Sequence, residues 1–138
     1  MNEQRKVLES YDYRKKKCIF CNIPKSRIIS SNELAVVIKD NYPVTKHHCL
    51  IIPKRHCVDY FDLYQPEINA ITQLINQTKK ELVKKDKSIK GFNIGNNSGE
   101  VAGQTIFHCH IHLIPRRKGD VENPRGGVRR VIPSKQNY

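Results

Sequence analysis

The chain has 138 residues and carries 25 Lys and Arg against 13 Asp and Glu, a formal net charge of +12. That length suits one domain able to bury about two-thirds of its unfolded surface, and the charge suits anionic partners such as nucleotides, nucleic acid or a membrane surface. No apolar run approaches the roughly 20 residues that span a bilayer, Met1 to Lys6 lacks the apolar stretch of a secretory signal, and five cysteines, an odd number, imply no disulfide framework.

A reducing cytoplasm is therefore the expected setting. Residues 1–17 read as a polar, basic leader. The basic runs at 14–17, 79–80, 84–85 and 129–130 read as solvated faces, and no interleaved aromatics accompany them, so nucleic acid is disfavoured as a partner. Cys18-Ile19-Phe20-Cys21 is half of a zinc site, a pair of structural thiols, or a redox pair. The redox reading needs a thioredoxin-like strand and helix that the flanks lack, and zinc is the favoured reading.

Ile28–Ser30 and Leu34–Lys39 are β-prone runs separated by the turn-like Ser31-Asn32-Glu33, which predicts a hairpin ending at Asp40. After a turn at 41–44, His48–Lys54 predicts a third strand, too apolar for an exposed edge and ended near Pro53. His47 reads as surface, and so does His56 when taken singly. Pro66–Lys87 predicts one long helix, with Pro66 at a first helical position and Ile68, Ile71, Leu74, Ile75, Leu82 and Val83 at three- and four-residue steps. That stripe is core or dimer interface.

Phe92–Gly95 is a short strand that feeds a Gly-punctuated loop, Asn96 to Thr105, rich in amides and hydroxyls suited to phosphate oxygens. Then comes Ile106-Phe107-His108-Cys109-His110-Ile111-His112-Leu113-Ile114, which alternates with the period of a half-buried strand. His108, His110 and His112 share one face; Cys109, Ile111 and Leu113 point into the core. Half of the six histidines fall within these five positions, which marks a site more than packing. The row could hold a metal, or one imidazole could attack an electrophile while its neighbours manage protons and charge. Past Pro115 the chain is loop-like, and Val128–Tyr138 is too short for a core element. The elements predict an α+β fold, a mostly antiparallel five-stranded sheet with one long helix packed across it. The leader (1–17), a folded body (18–118) and a C-terminal tail (119–138) divide the chain.

His108-Cys109-His110-Ile111-His112-Leu113-Ile114 resembles the signature of the histidine-triad (HIT) nucleotide hydrolases and transferases, and the resemblance extends to Asp40, the run Thr45–His56, and Asn97. The Ala102-Gly103-Gln104-Thr105 approach and the Pro115-Arg116 exit are closer to the fragile-histidine-triad, dinucleoside-polyphosphate side of the family. The resemblance implies a HIT-like fold paired as a homodimer through strand and helix. It also implies that Asp40 receives ribose hydroxyls, that Gln104, Thr105 and Asn97 lie at the phosphates, and that His56 lies near the site. Several bacterial relatives carry a similar Cys pair with zinc held by Cys, Cys, His and His, which implies a structural zinc on Cys18, Cys21, His48 and His108. Tails in the family often lie over the partner's active site.

In this reading His110 is the nucleophile and attacks an α-phosphorus to give a nucleotidyl-histidine. His112 also binds nucleotide and assists departure of the leaving group, and His108 supports the row or joins the zinc. No catalytic metal is required. A purine nucleoside phosphoramidase, a metalloenzyme using the His row, and a nucleotide-binding regulatory module without turnover are the alternatives.

Overall fold

The structure, a computed structural model, describes residues 11–138, so most of the leader lies outside the described residues. Five strands form one sheet: β1 (Ile28–Ser31), β2 (Ala35–Lys39), β3 (Cys49–Pro53), β4 (Ile89–Gly95) and β5 (Ile111–Arg117). The order is β1-β2-β3-β5-β4 and every neighbouring pair is antiparallel. The single long helix among the described residues, α1 (Gln65–Lys85), crosses one face. This is the α+β sheet-and-helix arrangement that the sequence predicts, and β3 is central, as its unbroken apolar run requires.

Strand alternation divides the core into two layers. Ala35, Val37, Cys49, Ile51, Cys109, Ile111 and Leu113 pack under α1 against Ile71, Leu74 and Leu82. Val36, Ile38, Leu50 and Ile52 face the other way and are covered by Phe20, Ile23, Ile28 and Ile106. The face away from the helix is therefore roofed by the segment that carries the Cys pair.

Boundaries differ from expectation where side chains or loops take over backbone partners. The helix stops at Lys85 instead of Lys87, because Asp86 turns extended and its carboxylate accepts from the Ser88 N–H at 3.0 Å. The His strand begins at Ile111, so His108, Cys109 and His110, which the alternation would include, precede it. There the Cys109 N–H donates to the Cys57 carbonyl (2.8 Å) and the His110 carbonyl accepts from Asn96 Nδ2 (2.9 Å), so neither joins the ladder.

One buried ion pair fastens the helix start to the end of β3. Glu67 is fully buried and Arg55 nearly so; Arg55 donates to both carboxylate oxygens (2.9 and 2.8 Å) and to the Asp62 carbonyl (2.7 Å). Glu67 also accepts from the Tyr64 N–H at 2.9 Å, and the guanidinium lies 4.0 Å from the Tyr64 ring centroid. Removing one member strands a buried charge, which costs about 3–5 kcal/mol. Glu67→Ala is expected to lower unfolding stability by about that amount in urea titration, with Arg55→Ala falling in the same range.

Candidate active site and metal centre

One backbone carbonyl and two side chains set the state of His110. Its Nδ1–H donates to the carbonyl of His108 at 2.8 Å, which leaves Nε2 as the free lone pair. Asn96 holds the His110 carbonyl, and Ser98 Oγ donates to Asn96 Oδ1 (2.5 Å). The loop that carries these residues folds through Gly99 and Gly103 at φ 96° and 98°, a left-handed region that a side chain would strain.

His112 is set by a second chain of hydrogen bonds. The Val44 N–H donates to His48 Nδ1 (3.1 Å), so His48 carries its proton on Nε2 and donates it to His112 Nδ1 at 2.9 Å. His112 in turn keeps its own proton on Nε2. Its ring centroid lies 5.4 Å from that of His110. Asp40 Oδ2 lies 3.5 Å from His48 Nε2 and 3.9 Å from His112 Nδ1, while Oδ1 accepts from the Tyr42 N–H at 2.7 Å. Burial lowers the pKa of both His48 and His112; for His112 the neighbouring His110 and His48 add to the effect and Asp40 opposes it. Both imidazoles are therefore neutral at pH 7.

At the other end of β3 lies a second cluster, made of Cys18, Cys21, His56 and His108, whose ligand atoms all fall within 4.8 Å of one another. His108 is fully buried and donates Nε2–H to the Pro53 carbonyl at 2.8 Å, so its Nδ1 lone pair faces Cys18 and Cys21 Sγ at 3.3 and 3.5 Å. His56 Nδ1 lies 3.3 Å from Cys21 Sγ, and the Lys15 N–H donates to the same sulfur at 3.3 Å. Burial takes the His108 pKa down to about 4 and pushes the Cys21 thiol up. Two sulfurs and two neutral imidazole nitrogens at these separations fit a closed tetrahedral zinc site, with a carbonyl fixing one ligand's tautomer.

The fourth member of that cluster is His56, where the resemblance implied His48. Both ring nitrogens of His48 are engaged with Val44 and His112, and it precedes β3, whereas His56 follows it. A five-residue strand, about 17 Å long, separates the two positions. The local signal for His56 is its place just past Pro53. What brings it to the thiols is long-range, since its backbone N–H donates to the Tyr13 carbonyl at 2.8 Å.

The other expected site residues divide. Asp40 lies by His112, whose ring stands next to that of His110. Thr105 is exposed. Gln104 is buried, its Oε1 accepting from the Gly99 N–H (2.9 Å) and its Nε2 donating to the carbonyls of Val58 (2.6 Å) and Ile106 (3.2 Å). Its donors are thus turned to backbone, and in this arrangement it braces the loop. Asn96, which the sequence marks only as part of the amide-rich loop, contacts the row; Asn97 lies against Gly103 instead. His47 is half-buried in the left-handed region at φ 74°, with Nε2 3.8 Å from Asp86.

The family model for the HIT domain matches residues 22–119. An HIT-like protein of Mycoplasma genitalium is 39% identical over 103 residues, covering 72% of each chain. The adenylylsulfatase HINT3 of Arabidopsis thaliana is 33% identical over 107 residues, 75% of this chain and 54% of that one. Among solved structures, a zinc-bound histidine triad family protein from Mycobacterium smegmatis superposes with a TM-score of 0.70 at 32% identity, covering 78% of this chain and 80% of the other. Matched in sequence across its folded body and in three dimensions across the sheet and helix, the chain belongs to the HIT family.

Proposed function

We propose that this protein is a nucleotide hydrolase or transferase acting at the α-phosphate of a nucleotide conjugate through His110. The observation that carries the reading is the 2.8 Å hydrogen bond from His110 Nδ1–H to the His108 carbonyl, which frees Nε2 for attack. Nε2 attacks the α-phosphorus, the bond to the leaving group breaks, and a cationic nucleotidyl-imidazole results. Water then attacks phosphorus, the P–Nε2 bond breaks, and His110 returns neutral as one proton passes to solvent. His112 Nε2–H donates to the departing oxygen, and Asp40 takes the ribose hydroxyls through its free lone pairs. Thr105 Oγ and the Gly-loop amides serve the phosphate oxygens, with Gln104 and Asn97 shaping that loop.

The neutral state of His112 bears on the leaving group. A neutral imidazole donates a hydrogen bond but is a poor source of a whole proton. It suits a leaving group that departs as a stable anion, such as the phosphate end of a dinucleoside polyphosphate, better than an amine. The Arabidopsis relative, named as an adenylylsulfatase, is consistent with an anionic leaving group. A phosphoramidate is the second reading. A zinc on Cys18, Cys21, His56 and His108 would supply a fixed tetrahedral link and no open coordination position. Pairing of two chains along β4, the sheet edge next to β5, is the homodimer in this reading.

His110→Ala is expected to abolish turnover, a loss of at least about a thousandfold, while AMP binding measured by calorimetry changes little; turnover near the wild-type rate would remove His110 from the reaction. Diadenosine polyphosphate is expected to be turned over faster than adenosine phosphoramidate at pH 7. Because the His112 pKa lies below the ordinary imidazole value, its proton arrives only as pH falls beneath about 6.5, so the amidate-to-anhydride ratio of kcat/KM is expected to rise below that pH and stay flat above it. Elemental analysis is expected to find one zinc per chain, lost in His56→Ala and in Cys18→Ser with Cys21→Ser but kept in His48→Ala; the opposite pattern for the two histidines would restore His48 to the site.

A further inference from the structure

A purely structural metal site needs no contact with the reacting group, yet here the two are joined by three separate routes. His108 is a member of both. Its ring Nδ1 faces the two thiols and its main-chain carbonyl holds the Nδ1–H of His110. Phe20 is the second route. It lies between Cys18 and Cys21 in sequence, is buried, and meets His108 edge-on at 5.9 Å and His110 at 5.1 Å between ring centroids. The third is the bond from the Cys109 N–H to the Cys57 carbonyl, which ties the residue after His108 to the residue after His56.

We propose that the Cys18–Cys21–His56–His108 centre positions the nucleophile, with Phe20 as the positioning residue that carries the constraint from the thiols to the His110 ring. The proposal rests on the reading of His110 as nucleophile. The Cys-x-x-Cys loop is short and anchored at both ends: the Cys18 N–H donates to the Lys15 carbonyl (3.1 Å), the Cys21 N–H to the Cys18 carbonyl (3.2 Å), and Asn22 Nδ2 to the Cys18 carbonyl (2.7 Å). Phe20 cannot leave the two rings while both sulfurs hold the same ion. With the ion gone, only hydrogen bonds and van der Waals contacts hold the loop, and the edge of Phe20 no longer limits the rotation of His110 about its own side-chain bonds. An imidazole that swings off the His108 carbonyl can present either nitrogen, so the loss is one of orientation and tautomer before it is one of stability.

The test uses the full chain, loaded with zinc or stripped with a chelator, and the zinc-loaded variant Phe20→Leu, which keeps all four ligands. Nitrogen-15 spectra of the histidine rings read the tautomer of His110 without turnover, and rapid-quench measurement with a labelled dinucleoside polyphosphate reads formation of the His110 adduct. In zinc-loaded wild-type protein a single Nδ1–H tautomer and fast adduct formation are expected. In Phe20→Leu, with one zinc retained, the His110 signals are expected to become heterogeneous and the adduct rate to fall about tenfold to a hundredfold, the order expected for a misplaced reacting group; KM should move less than kcat. The stripped wild-type protein should show the same change in the ring spectra. If both keep one tautomer and the wild-type adduct rate, the centre is structural only and the proposal fails. If zinc-loaded wild-type protein turns over substrate without any His110 adduct, the nucleophile reading fails instead.

Discussion

A single backbone carbonyl, that of His108, governs the chemistry of the row. By accepting the Nδ1–H of His110 it decides which nitrogen keeps a free lone pair, and a carbonyl is suited to this because it accepts and never donates. Its position follows from the His108 ring, which is buried and held at both nitrogens, by the Pro53 carbonyl on one side and the cysteine sulfurs on the other. A residue gripped on both sides of its ring has little freedom to move its own main chain.

That grip depends on a framework built around β3. Its end delivers Pro53, Arg55, His56 and Cys57 within five residues, each with a different task. Pro53 fixes the tautomer of His108, Arg55 pairs with Glu67 at the start of α1, His56 faces Cys21, and Cys57 holds the segment that precedes β5. The start of the same strand delivers His48 to His112. His110 and His112 are thus set from opposite ends of one buried strand, and antiparallel pairing with β5 brings Leu50, the second residue after His48, opposite His112.

The outward course of protons is set the same way. From the Val44 N–H through His48 to His112, each donor fixes the acceptor's remaining proton one step further on, and burial keeps both rings neutral so that the order persists. The Gly loop adds a rigid floor: Gln104 spends its amide on three backbone groups and Asn96 on the His110 carbonyl. Polar side chains that look free to bind phosphate in the sequence are here partly consumed in shaping the loop.

The sequence by itself determined the sheet, the long helix and the apolar side of the His strand, because alternation, helical stripes and punctuating Gly and Pro are local physical signals; Asp40 was tied to the row only by family resemblance. It also marked Cys18 and Cys21 as a pair. Tertiary structure alone decided that His56, and not His48, completes their cluster, that Asn96 and not Asn97 meets the row, and that the His strand starts only at Ile111. Each of these turns on partners far apart along the chain: Cys21 and His56 are 35 residues apart, and Cys18 and His108 are 90 apart. Two histidines at opposite ends of one strand look equivalent by composition. Which one joins the cysteines depends on which end the roofing loop covers, and that is fixed by the packing of Phe20 and by the backbone bond from His56 to Tyr13.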